Sequence, residues 1–139
     1  MSELILVINP GSTSTKVALF LGDSSIASES IYHDSAELAG HPTILDQLPM
    51  RSSAVRRWLE PRLSALSSRD ASARLDAIAA RGGLLHPLPS GTYRVDDVML
   101  SELRDPETRK HASNLAALVA SEIAAEHGGV PVFVTDPVC

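Results

Sequence analysis

Apolar residues fill Leu4-Ile5-Leu6-Val7-Ile8 without a break, and the run stops at Asn9-Pro10-Gly11. A short continuous apolar run ended by turn residues is the pattern of a buried strand, predicted here over residues 3–9. A second apolar stretch, Val17 to Leu21, predicts a strand over 16–21. The weaker alternation from Ile26 to Tyr32 predicts a third, with Gly22-Asp23-Ser24 as the turn between them. Strand, tight turn, strand, short turn, strand is an antiparallel meander.

The pattern then changes. Residues 33–49 hold two prolines, a glycine and mixed polarity, so they read as a loop with one short helix at Ser35–Ala39. Val55, Trp58, Leu59, Leu63 and Leu66 fall on one helical face and predict a helix over 52–66. Pro61 lies inside it and is expected to kink or divide it. Leu75 to Ala80 is a short apolar strand ending at Arg81-Gly82-Gly83, and residues 92–95 form a small one. Asp96 then caps a helix through Leu103. Ser113 or Asn114 opens a further helix, striped by Leu115, Leu118, Val119 and Ile123 and stopped by Gly128-Gly129. Residues 130–135 make the last strand, closed by Asp136-Pro137.

This order predicts an α/β fold whose mixed sheet joins the meander to later strands, parallel to the first and reached by helical crossovers. The C-terminal ends of those strands share one edge. Asn9, the 11–16 turn, Arg81 and Asp136 would then surround one crevice, where open α/β sheets bind ligands.

Bulk properties narrow the function. The 139 residues suit one domain. At 44% hydrophobic but only 4% aromatic, the core must be mostly Leu, Val, Ile and Ala. Twelve basic against seventeen acidic residues give a net charge of −5, which argues against general nucleic-acid binding. Cys139, the sole cysteine, excludes an internal disulfide and fits a reducing compartment. No apolar run approaches the ~18 residues of a membrane span, and the N-terminus enters a strand at once instead of forming a signal peptide. The expectation is a cytoplasmic protein with no membrane partner.

Candidate chemistry begins in the turn. Gly11, Ser12, Ser14 and Lys16 offer amides, hydroxyls and a compact cation to one anion, phosphate being the obvious guest. A hairpin whose hydroxyls merely satisfy the turn is the equal alternative. The nucleotide-binding P-loop is excluded, because it has a second glycine before the lysine and opens a helix. Arg81 at a strand end suits bidentate recognition of carboxylate or phosphoryl oxygens. His111 lies ahead of a helix start, and Asp136 could hold Mg²⁺. His33, His41, His86 and His127 show no ligand spacing and are expected to have no functional role, and Trp58 is expected to pack in the core.

At these residues the chain resembles the butyrate kinases, in the acetate kinase branch of the sugar kinase/actin/Hsp70 superfamily. The matching stretches are Val-Ile-Asn-Pro-Gly-Ser-Thr-Ser-Thr-Lys at 7–16, Arg-Gly-Gly-Leu-Leu at 81–85 and Gly-Thr-Tyr-Arg-Val at 91–95. His-Ala-Ser-Asn-Leu at 111–115, Asp-Pro-Val at 136–138 and Pro-Thr-Ile-Leu-Asp-Gln at 42–47 complete the set. The resemblance implies a ribonuclease H-like first domain and reversible phosphoryl transfer from ATP to a short-chain carboxylate such as butanoate, with Mg²⁺. It assigns Asn9, Gly11, Ser12, Ser14 and Lys16 to phosphates and nucleotide, and Asn9 and Asp136 to the metal. Arg81, His111 and Asp136 become catalytic. It also implies that residues 1–139 are a truncated N-terminal domain without the second, nucleotide-binding domain, and so inactive alone. Full-length relatives are expected to be homo-oligomers. Two other readings remain: a non-catalytic remnant that binds phosphate or a partner chain, and a different kinase of the superfamily.

Overall fold

The computed structural model describes residues 3–41, 43–81, 92–104 and 114–135, with the backbone alone for Arg81, Thr92, Tyr93 and Thr135. Three antiparallel strands open the chain: β1 (Leu4–Pro10), β2 (Ser14–Leu21) and β3 (Ser24–Tyr32). A short helix α1 (Ser35–Ala39) and a single 3-10 turn (Leu45–Gln47) lead into the long helix α2 (Leu48–Arg69). β4 (Ala77–Arg81), β5 (Thr92–Arg94), α3 (Asp97–Arg104), α4 (Leu115–Glu126) and β6 (Val132–Thr135) follow.

The six strands form one sheet in the order β3-β2-β1-β4-β6-β5. β4 lies parallel to β1, and β6 parallel to β4, as expected for strands joined by helical crossovers. The small strand β5 returns antiparallel to β6 at the sheet edge.

Strand alternation decides which face is covered. Leu4, Leu6 and Ile8 of β1, Val17 and Leu19 of β2, Ile78 and Ala80 of β4, and Val132 and Val134 of β6 are all buried. Leu118, Val119 and Ile123 of α4 and Val55, Trp58 and Leu59 of α2 join them in one core. Trp58 is therefore a packing residue, as expected, and the Arg62 guanidinium lies 4.4 Å from its ring centre.

Two details of α2 differ from the sequence expectation. The helix starts at Leu48, so Pro49 falls in its first turn, where a proline lacks only an N–H that has no intrahelical partner anyway. Pro61 does not divide it: α2 runs unbroken to Arg69. The proline removes the bond to the Arg57 carbonyl, at an exposed position open to water. In the adjacent row, Arg62 Nη1 donates to the Trp58 carbonyl at 2.7 Å. The other boundaries follow local chemistry. Asp96 Oδ1 accepts from the Met99 amide at 2.9 Å ahead of α3, and Gly128 and Gly129, with φ of 79° and 71°, end α4.

Candidate functional site

Parallel strands bring their C-terminal ends to one edge, and the register makes that alignment explicit. Lys16 of β2 pairs with Asn9 of β1. One step beyond the Ile8–Ala80 pair, Arg81 takes the β4 position beside Asn9. Arg81 in turn pairs with Thr135 of β6, the residue that precedes Asp136 in sequence. Lys16, Asn9 and Arg81 thus occupy one row across three adjacent strands. His111 and Asp136 lie outside the described residues.

The period of two sorts the turn residues between the faces. Thr15 is fully buried on the helix side, whereas Ser14 and exposed Lys16 share the opposite face with Asn9. The turn itself is a tight hairpin with Ser12 and Thr13 at its tip, closed by a 2.7 Å bond from the Gly11 amide to the Ser14 carbonyl. Gly11 is not forced by sterics. A Cβ there would sit 3.6 Å from Ser14 Oγ, an ordinary contact, and its φ is outside the left-handed region.

Beneath the turn is a residue that sequence reasoning did not single out. Arg51 of α2 is completely buried. Its Nη1 donates to the Ser14 carbonyl (2.9 Å) and to Thr15 Oγ1 (3.1 Å), and its Nη2 to the Ser12 carbonyl (3.2 Å). Its Nε donates to Gln47 Oε1 at 3.0 Å. Burial lowers the Arg51 pKa, but a guanidinium keeps its proton at any ordinary pH. The available signal was its spacing: Arg51 stands three, four and seven residues before Ala54, Val55 and Trp58, on the apolar stripe of α2.

His33 was expected to have no role, yet it braces the same turn. Its backbone amide donates to the Thr13 carbonyl at 2.9 Å, and its Nε2 lies 2.8 Å from Thr15 Oγ1. The Thr15 hydroxyl, one donor with two acceptor lone pairs, thus links His33 to Arg51, and the tautomer of the ring decides which of the pair donates. Burial, and then the nearby Arg51 charge, lower the His33 pKa below its ordinary value and so favour the neutral ring.

Asn9 and the serine hydroxyls are oxygen donors of the hard type that Mg²⁺ prefers. Among the described residues no three His, Cys, Asp or Glu side chains cluster to hold a metal, so any such site would also need Asp136 or ligand oxygens. No described helix is long and apolar enough to cross a membrane.

No protein-family model matches the chain. Over 138 residues, 99% of its length, it is 46% identical to a probable butyrate kinase of Coprothermobacter proteolyticus. It is 39% identical over 138 residues to butyrate kinase 2 of Clostridium acetobutylicum. The chain is similar along its whole length to butyrate kinases. It spans 37% of the length of each of those two proteins. Its fold is shared with the acetate kinase of Entamoeba histolytica, at TM-score 0.54 and 14% identity, covering 96% of this chain and 34% of that one. A propionate kinase of Francisella tularensis gives TM-score 0.52 at 15% identity, over 96% of this chain and 36% of that one. The ribonuclease H-like mixed sheet expected from the resemblance is therefore the fold of this chain.

Proposed function

We propose that this chain supplies the phosphate-handling part of a butyrate-type carboxylate kinase, which moves the γ-phosphoryl group between ATP and a short-chain carboxylate. In the forward direction a butanoate oxygen attacks the γ-phosphorus, the bond to the β,γ-bridging oxygen breaks, and butanoyl phosphate and ADP result. A carboxylate is already a competent nucleophile, so the protein's task is alignment and charge stabilisation.

The observation that carries this reading is the row of Lys16, Asn9 and Arg81 at the edge where the parallel strands end. It occurs in a chain similar along its whole length to butyrate kinases. In the proposed roles, Gly11, Ser12, Ser14 and Lys16 grip phosphate oxygens, Arg81 holds the substrate carboxylate and the phosphoryl group in flight, and His111 steadies its oxygens. Asn9 and Asp136 hold Mg²⁺, which when bound would draw negative charge from the phosphate oxygens. Preorganised donors of this kind act where charge develops in the transition state.

The adenosine side of the cleft is assigned to sequence that these 139 residues do not contain, since the relatives are far longer. The chain alone should then show no appreciable hydroxamate formation with butyrate, ATP and Mg²⁺, and turnover comparable to a full-length relative refutes that assignment. Calorimetric titration with butanoyl phosphate tests the site itself. Lys16→Ala and Arg81→Ala should each weaken the binding, and unchanged heats in both would remove the proposal's basis.

A further inference from the structure

The same turn carries one more feature, and its interpretation rests on the phosphate-binding reading above. All three carbonyls of the turn segment 12–14 are tied inward. Ser12 O accepts from Arg51 Nη2, Thr13 O from the His33 amide, and Ser14 O from both the Gly11 amide and Arg51 Nη1. In a trans peptide the C=O and the following N–H point in opposite directions, and no peptide bond here is cis. The Thr13 amide therefore faces away from Arg51. With the Ser12 and Ser14 carbonyls held by Arg51 and the Thr13 carbonyl by the His33 amide, the turn leaves the Thr13 amide to face outward.

The charge behind the turn is equally one-sided. Every acceptor on Arg51 is neutral: two carbonyls, a hydroxyl and the Gln47 amide oxygen. Among the described ion pairs, none involves Arg51. A buried cation is normally matched by a carboxylate, because removing it from water is costly. Among the described residues no carboxylate pairs with Arg51, although Gln47 occupies a place where a glutamate of nearly the same shape would supply one.

We propose that Arg51 is a positioning residue for the phosphate site: it sets the polarity of the 12–14 peptides and leaves its own charge to be met by the bound anion. Gln47 is the complementary element, neutral so that the anion remains the counter-charge.

Gln47→Glu is the decisive variant, read by titrating inorganic phosphate into the 139-residue chain while following the amide resonances of residues 11–16 by NMR. The substitution retains the bond from Arg51 Nε and adds a counter-charge, so thermal stability should hold or rise while phosphate affinity falls about five-fold, the scale of one partly screened charge several ångströms away. A merely structural Arg51 predicts unchanged affinity, and that result overturns the proposal. Arg51→Lys keeps the charge but loses the fork that spans the Ser12 and Ser14 carbonyls. It should weaken phosphate binding even in a folded protein, and full retention of affinity would also overturn the proposal. Lys16→Ala separates the two levels of inference. If the unsubstituted chain gives no phosphate-dependent shifts, or gives shifts indifferent to Lys16, the site reading itself fails. If binding depends on Lys16 but ignores Gln47→Glu, the phosphate site survives and the role of Arg51 does not.

Discussion

Thr15→Val isolates the bracing beneath the turn with little change of shape. Thr15 is completely buried, and its hydroxyl serves two partners, accepting from Arg51 Nη1 at 3.1 Å and meeting His33 Nε2 at 2.8 Å. Loss of a hydrogen bond to a charged donor costs about 2 kcal/mol, and the neutral bond to His33 adds roughly 1 kcal/mol. The valine methyl returns about 1 kcal/mol through its burial. The net destabilisation is then about 2 kcal/mol, or a fall in melting temperature of roughly 7 °C for a domain of this size. Urea unfolding monitored by circular dichroism and by Trp58 fluorescence measures it, with coincident transitions as the check on two-state behaviour. A loss below about 0.5 kcal/mol, the ordinary scatter of surface substitutions, would mean that Arg51 and His33 find other partners at no cost. The bracing described for the turn would then be wrong.

Other tests follow from the same geometry. The His33 pKa is lowered in the fold, so the unfolded chain takes up the proton first as pH falls. Stability from this group should be complete above the unfolded value of 6.5 and decline as pH drops below it toward the folded value. Urea midpoints measured across this range should show the decline, and His33→Gln should remove that component. An identical pH profile in the variant would sink the assignment. Gly11→Ala should fold with stability within about 0.5 kcal/mol of the parent, yet weaken phosphate binding, because the added methyl sits 3.6 Å from Ser14 Oγ. A large stability loss would show instead that the glycine is structural.

Much of this fold was readable from local pattern. Uninterrupted apolar runs marked β1 and β2, and Asp96 and Gly128-Gly129 marked helix ends, because each of these signals acts within a few residues. The start of α2 was misplaced because Pro49 reads as a breaker and is harmless in a first helical turn. The row of strand ends was legible from the order of elements, since crossover connections leave few topologies for the parallel strands. Arg51 and His33 were not, because their partners at Ser12 to Thr15 lie far away in sequence and a charged residue on a helix ordinarily reads as solvent-facing. In Arg51 the discord between a cationic side chain and its apolar neighbours at Ala54, Val55 and Trp58 was the trace it left.

The pairing of β1 with β4 also bears on how the molecule comes together in time. β1, β2 and β3 are neighbours in sequence, and hairpins of this sort close within microseconds. Docking β4 beside β1 must wait until the ends of a segment stretching from Val7 to Ala79 meet, a slower search. The lysine-bearing hairpin is thus expected to exist, empty-handed, before Arg81 joins its row. Pulse-labelled amide exchange during refolding should find residues 14–32 protected earlier than 77–81 and 132–135, and simultaneous protection would contradict this order of assembly.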